Sequence, residues 1–567
     1  MAGLVSLRIL MNKVFFGIVI GITILLRFWQ LGNVPPSPDW DEASLGYNAY
    51  SIMQTGRDEY GEFLPVILRS FDDYKPGLYA YLIIPFIKLF GLSILSVRLP
   101  SAIFGVLAVI GTYFLVKELF PNIKKHSVFS IQYSVPEISA LLLAISPWHL
   151  QFSRIAFEAQ VGLALNIFSI LFFLKGLKRG FYLLPAAVFA SLSIYAYQSE
   201  KVYLPILFLI LILIYWRQIL KVSRKWIIGA VLLGILLSIP MFSALINDPN
   251  SLLRAKGVSV FSDQTQFLAR NVAKYADDVE SHDIIGIVVD NRRVEYAKAV
   301  IAGYIAHFNL NWLFITGDIE RHHAPNMGLL YLFELPFLLI GIYQLVFGNF
   351  SKKTKLTVFA IFLIAPIPAS ITSGVPHAVR TINFLPTFQI LTAMGIMAAL
   401  QFVSSIKYQV LSIKYLKLRI ILYTFFFILS SFNIIYFINQ YFVQQNYYHS
   451  ESWQYGWKHA IDYIKPIESK YDKVVVSNDR PLDQSYIFFL YYLKYDPKIY
   501  QSEGGTRTGG FKEDHKFDNF EFRIINWNKE EEGGLYVGRP EDFPEDIQTL
   551  KKINYLNGKP AIMIVGK

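Results

Sequence analysis

The 567-residue sequence contains no cysteine. That excludes disulfide staples, thiolate catalysis and cysteine-based metal sites, and it leaves the redox compartment unmarked. Charge is scarce too: Asp, Glu, Lys and Arg fill 17% of positions, against roughly 25% in ordinary soluble domains. Internal repeats and low-complexity segments are absent from the sequence. Also missing is a signal-peptide cleavage site. The apolar run Val14 to Leu26 follows Arg8 and Lys13 as a secretory leader would, but Arg27-Phe28-Trp29 stands where small residues belong. The run therefore reads as a retained first span with a cytoplasmic N-terminus.

What is abundant is apolar. Hydrophobic residues make up 54% of the chain, and runs of spanning length recur along it, the mark of a polytopic membrane protein. The formal charge of +11 is scattered in small groups at the ends of apolar runs. It is not gathered into the patch that nucleic acid requires, so no nucleic-acid partner is expected.

Span one covers about 14 to 32 and delivers an acidic stretch, Asp39-Trp40-Asp41-Glu42 through Asp72-Asp73-Tyr74-Lys75-Pro76. The next apolar run, Gly77 to Phe90, is short for a crossing, which takes roughly 20 residues. Were it to cross, Lys117, Lys124 and Lys125 would lie outside, against the positive-inside tendency. It is therefore read as a juxtamembrane helix of the first loop. Further spans follow at about 98–118, 135–150, 160–176, 181–197, 203–216, 226–246, 328–348, 356–372, 382–404 and 419–440, about eleven crossings in all. Their cytoplasmic turns then carry Lys175, Lys178 and Arg179; Arg217, Lys221, Arg224 and Lys225; Lys352, Lys353 and Lys355; and Lys407, Lys414, Lys417 and Arg419.

This parity places three long segments outside: loops at 33–97 and 247–327, and the tail. The expected domains are a transmembrane domain over 1–445 and an extracytoplasmic α/β domain over 446–567. In the second loop, Thr265 to Tyr275 and Tyr296 to His307 read as amphipathic helices. In the tail, Trp453, Trp457, Ile461 and Ile464 fall at helical spacing, Lys473 to Val476 reads as a strand, and Phe520, Phe522 and Ile524 alternate. Asn557-Gly558 signals a hairpin.

Asp41 and Glu42 are candidate acid/base residues, but neighbouring side chains on a helix point different ways. One can face a substrate while the other braces the loop; both could also simply cap a helix. Arg154 and Glu158, Glu200 and Lys201, and His377 and Arg380 stand at the outer ends of three other spans. Each alone reads as an interfacial charge. Together they assign acidic and basic groups to one membrane face, as a site for a charged lipid headgroup requires. His322, His323, His377 and Glu320 lack a recognisable ligand spacing and read as polar loop residues. No cofactor is required, and a divalent metal is optional.

The order of these features is Asp41-Glu42, Lys75-Pro76, Arg98-Leu99-Pro100-Ser101, then Ser146-Pro147 leading to Arg154 and Glu158. It resembles the GT-C glycosyltransferases related to protein O-mannosyltransferases and aminoarabinose transferases, the glycosyltransferase family 39 type. Gly328 to Tyr331 with Leu335-Pro336-Phe337, and Tyr486 to Pro497, resemble bacterial members of the superfamily. The likeness is best over the first 200 residues or so.

The resemblance implies a GT-C fold and an inverting transfer of a hexose or pentose from a polyprenyl-phosphate donor to an acceptor hydroxyl on protein, lipid or glycan. By position, Asp41 becomes the catalytic base, with Glu42 beside it, and Lys75 the donor-phosphate contact. Glu158 takes a second acidic position where the family usually has Asp. Arg380 is the nearest candidate for a family arginine, and Lys201 a further phosphate contact. Tyr74, Arg154 and His377 are candidate substrate contacts. A multi-pass inner-membrane location with an extracytoplasmic site is implied. The alternative is a transporter or flippase of lipid-linked sugars, which would place ionisable groups near the bilayer midplane and often show inverted repeats.

Overall fold

The computed structural model describes residues 2–71, 73–121, 126–128, 131–247, 257–262, 268–405, 413–506 and 514–567. Lys124, Lys125, Lys407 and the start of the 265–275 helix expectation lie outside the described residues. The chain divides into two compact units. The first comprises Met1–Leu26, Gly105–Leu150 and Gly162–Ile435; the second comprises Arg27–Phe104, Gln151–Val161 and Tyr436–Lys567.

Among the described residues, seven helical stretches are long and apolar enough to cross a membrane: Ile94–Leu119, Glu158–Gly176, Glu200–Ile219, Arg224–Asn247, Lys352–Ser370, Ile382–Val403 and Ile420–His449. Shorter apolar helices include Val14–Phe28, Leu78–Phe90, Val135–Ile145 and Glu334–Phe347. Three runs read as spans of about 16 to 21 residues thus yield helices of 11 to 14: Val135–Ile145, Leu183–Ser193 and Glu334–Phe347. At the first of these Pro147 interrupts, and a new helix, Pro147–Phe152, begins after it. Leu78–Phe90 has 13 residues, about 20 Å of helix against a hydrocarbon core of about 30 Å.

In the first unit, Arg224–Asn247 leaves Leu232, Leu236 and Ile246 exposed, an apolar surface suited to lipid and not to water. Ile382–Val403, by contrast, is almost wholly buried. Helices Glu334–Phe347 and Thr387–Ser405 meet backbone to backbone. A Cβ on Gly341 would stand 1.8 Å from the Leu391 carbonyl oxygen, and one on Gly395 1.8 Å from that of Phe337. With only dispersion to drive association in lipid, such reciprocal glycines let the two backbones close. Helices Arg292–Ala306 and Ala269–Glu280 account for the two amphipathic stretches of the second loop. A short hairpin, β3 (His126–Val128) with β4 (Ile131–Tyr133), completes this unit.

The second unit holds the acidic stretch and the tail. Asp39 caps the helix Trp40–Thr55, its carboxylate accepting from the Glu42 N–H at 2.8 Å, and Gly56, at φ 72°, ends it. Strands β1 (Ile67–Ser70) and β2 (Asp73–Pro76) then pair antiparallel, with Leu68 opposite Lys75. The tail forms a six-stranded sheet of β5 (Lys473–Val476), β6 (His515–Phe517), β7 (Phe520–Phe522), β8 (Gly534–Gly538), β9 (Lys551–Asn554) and β10 (Pro560–Gly566), in the order β6-β7-β5-β8-β10-β9. Val474, Val475 and Val476 are all buried, so central β5 is covered on both faces; it runs parallel to β7 and β8. The Asn557-Gly558 turn joins β9 to β10 as expected. Trp40–Thr55 packs on the helix Ser485–Leu493, where a Cβ at Gly46 would reach 2.7 Å from Tyr491.

Candidate active site

The N-cap at Asp39 sets Asp41 and Glu42 in the first turn of Trp40–Thr55, where helical rotation separates their side chains. Glu42 turns inward. Its carboxylate accepts from Arg98 Nε at 2.8 Å and Nη2 at 2.7 Å, and from the Ala156 N–H at 2.8 Å, with every partner buried. Arg98 also donates to the carbonyls of Leu31, Pro35 and Ser37 at 2.8–3.1 Å. The planar guanidinium thereby binds the entry of the first loop, its first helix and the segment before Glu158 into one frame.

Asp41 turns the other way and keeps 38% of its side chain exposed. Its Oδ1 accepts from Lys75 Nζ at 2.9 Å, and the same ammonium stands 3.9 Å from Glu158 Oε1. Lys75 itself is buried. Burial alone would lower its pKa, but Asp41, then Glu158 and Asp73, outweigh that and raise it, so it stays cationic. One ammonium is therefore shared between two carboxylates, one of which is accessible.

Arg154 is also buried. It donates to the carbonyls of Arg27 at 2.9 Å and Val34 at 3.2 Å, and its guanidinium lies over Phe442 and Tyr441. It supports the loop's entry, as Arg98 does. Tyr74 lies half-buried on β2 beside Lys75, and strand alternation sends its ring to the opposite face.

A second carboxylate lies deeper in the same unit. Glu59 accepts from Asn48 Nδ2 at 2.9 Å, Tyr486 OH at 3.2 Å and Thr506 Oγ1 at 3.0 Å. Burial pushes its carboxyl up to about 7, with the Asn48 hydrogen bond opposing. Neighbouring Asp58 is raised by burial to about 6. Sequence reasoning named neither Glu59 nor Arg98 as a site residue. The signal for Arg98 was a charge inside an apolar run; for Glu59 there was none beyond its place in the acidic stretch.

Lys201, His377 and Arg380 belong to the first unit. Lys201 Nζ donates to Gln198 Oε1 at 2.6 Å, and Arg380 Nη1 to Thr372 Oγ1 at 2.6 Å and the Ser373 carbonyl at 2.7 Å. Glu200, beside Lys201, is buried and accepts from Asn166 and Asn383, closing a polar network. His377 approaches Asp318 and His322. Burial would raise the Asp318 carboxyl, but His322 and the Ala378 N–H outweigh it and hold it down at about 2. Thus Asp41, Glu42, Lys75, Tyr74, Arg154 and Glu158 share one unit, and the other three candidates share the other.

Residues 74–243 match the family described as dolichyl-phosphate-mannose-protein mannosyltransferase. That stretch includes Lys75, Arg98, Arg154, Glu158 and Lys201 but not Asp41. No curated protein sequence matches the chain. Among solved structures, it is similar to ArnT from Cupriavidus metallidurans bound to undecaprenyl phosphate, with a TM-score of 0.51 at 11% identity over 98% of this chain and 97% of that one. The oligosaccharyltransferase AglB from Archaeoglobus fulgidus, in complex with an inhibitory peptide and a dolichol-phosphate, gives 0.47 at 12% identity, over 86% of this chain and 63% of that one. The chain is a multi-pass membrane protein with the GT-C fold expected from its sequence.

Proposed function

We propose that this protein is a membrane glycosyltransferase that moves a sugar from a polyprenyl-phosphate-linked donor to an acceptor hydroxyl. The family match and the fold of ArnT, solved with undecaprenyl phosphate, support the class of donor; neither match is to a transporter. The single observation that carries the reading is the accessible carboxylate of Asp41 held 2.9 Å from the buried ammonium of Lys75. A base must be reachable by the acceptor, and a cation must lie where phosphate charge grows.

In this reading the donor phosphate competes with Asp41 for the Lys75 ammonium and releases the carboxylate. Asp41 takes the proton of the acceptor hydroxyl, whose oxygen forms the new bond to the anomeric carbon. The bond from that carbon to the phosphate oxygen breaks, and its electron pair leaves with the polyprenyl phosphate, whose added charge Lys75 offsets. Glu158 holds Lys75 between two acids, while Glu42 and Arg98 position Asp41. Lys201, Arg380, His377 and Tyr74 are left as candidate donor and acceptor contacts. The site and the tail face the extracytoplasmic side of the plasma membrane, and the acceptor is a protein, lipid or glycan.

The test is mass spectrometry of lipid-linked sugars and glycans in cells carrying the active protein or Asp41→Asn. Loss of one glycan with accumulation of its lipid-linked donor is expected. Identical profiles, with the variant protein present in the membrane, would overturn the assignment.

A further inference from the structure

Within the first unit, three side chains from two stretches of chain converge, and of these only His377 is named above as a candidate substrate contact. Asp318, His322 and His377 each offer one ligand atom, and the three atoms lie within 4.8 Å of one another. Asp318 and His322 stand four apart in the loop that Gly317 opens. That glycine, at φ 70°, makes a turn in which a Cβ would come 2.4 Å from His323. His377 comes from the stretch leading into the buried span at Ile382–Val403.

The surrounding contacts hold these groups in place. Asp318 Oδ2 accepts the Ala378 N–H at 2.5 Å, tying the 317–323 loop to the residue after His377. The His377 N–H donates to His307 Nε2 at 3.1 Å, and His307 Nδ1 faces the Gly303 carbonyl at 2.7 Å. These two bonds assign His307 as the neutral Nδ1–H tautomer and make it a buttress for His377. The His322 and His377 rings stand 5.1 Å apart, tilted by 42°.

The spacing fits a metal shell. With metal–ligand bonds of about 2.0–2.1 Å, adjacent atoms of a tetrahedral shell lie about 3.3 Å apart. His322 Nδ1 and Asp318 Oδ2 are at 3.2 Å. An imidazolium–carboxylate hydrogen bond prefers about 2.7–2.9 Å. A metal would draw the widest pair inward by no more than about 1.5 Å, within reach of a rotation about the histidine side-chain torsions.

We propose that Asp318, His322 and His377 bind one divalent transition-metal ion, Zn²⁺ by the character of two imidazoles and a carboxylate, which clips the 317–323 loop to the 376–380 stretch. Three protein ligands leave a fourth position for water. The clip does not depend on the glycosyltransferase reading.

The test uses the full-length protein, purified in detergent without chelator and with any histidine tag removed. Metal analysis by mass spectrometry is expected to find about one zinc per chain. His322→Ala and His377→Ala should each lose most of it, and His323→Ala, whose Nδ1 faces the Ile319 carbonyl, should keep it. Chelator-stripped wild type should regain its melting temperature with added Zn²⁺ and develop tetrahedral visible absorption with Co²⁺. If a histidine variant fails to fold, the stripped wild type still decides. Absence of both zinc stabilisation and the Co²⁺ band, or equal zinc in His322→Ala and wild type, overturns the proposal.

Discussion

Two adjacent carboxylates in the first turn of one helix meet opposite fates. Asp41 remains accessible beside Lys75, whereas Glu42 is enclosed by Arg98 and the Ala156 N–H. Asp41→Asn keeps the shape but removes the carboxylate proposed as the base, so kcat should fall by about 10²- to 10⁴-fold with the protein still folded. Steady-state kinetics with a polyprenyl-phosphate sugar checks this. Lys75→Ala should raise the KM for donor more than that for acceptor; equal changes would mean that Lys75 only shapes the hairpin.

Glu59 calls for a different experiment. Its folded carboxyl is raised by burial from 4.5 to about 7, so the folded state binds more protons than the unfolded one between those values. The associated stability is fully present below about 4.5 and is lost as pH rises through about 7. The shift corresponds to on the order of 3 kcal/mol. The melting temperature should therefore fall from pH 5 to pH 8, and Glu59→Gln, which mimics the protonated form, should flatten the slope. An unchanged slope would show that Glu59 is not the titrating group; Asp58, raised to about 6, is the next candidate.

At the scale of elements, helix contacts in the first unit depend on side chains that are missing. Gly341 and Gly395 allow Glu334–Phe347 and Thr387–Ser405 to touch through their backbones. Gly395→Leu must push the Phe337 carbonyl away, an overpacking cost of about 1–3 kcal/mol or more. Reduced melting temperature in detergent is expected, with activity lost in proportion to folded protein. In the second unit, Arg98 is the corresponding tie. Arg98→Met leaves the Glu42 carboxylate buried without its cation, a loss of roughly 3–5 kcal/mol, and should destabilise more than Lys75→Ala does.

At the scale of the molecule, topology can be read directly because the chain has no cysteine to remove. Lys178→Cys and Lys353→Cys should react with an impermeant thiol reagent only after the membrane is opened, and Asn557→Cys in intact cells. The reverse pattern would invert the orientation from which the outward site is argued.

The order of scattered motifs carried the resemblance to the GT-C fold, while composition, periodicity and turn chemistry by themselves determined that the chain is a multi-pass membrane protein, that Lys473 to Val476 is a strand and that Asn557-Gly558 turns a hairpin. These are local properties: apolar run length, side-chain alternation and a turn dipeptide depend on neighbours along the chain. Tertiary structure decided the rest. It put Lys75 against Asp41 across 34 residues of sequence, enclosed Glu42 with an arginine 56 positions away, buried Glu59 under Tyr486 and Thr506 from the tail, and drew His377 to Asp318. It also shortened three expected spans. In those side-chain contacts the deciding quantity is desolvation by groups distant in sequence: a charge excluded from water must find its partner in space, and spacing along the chain carries no record of that partner.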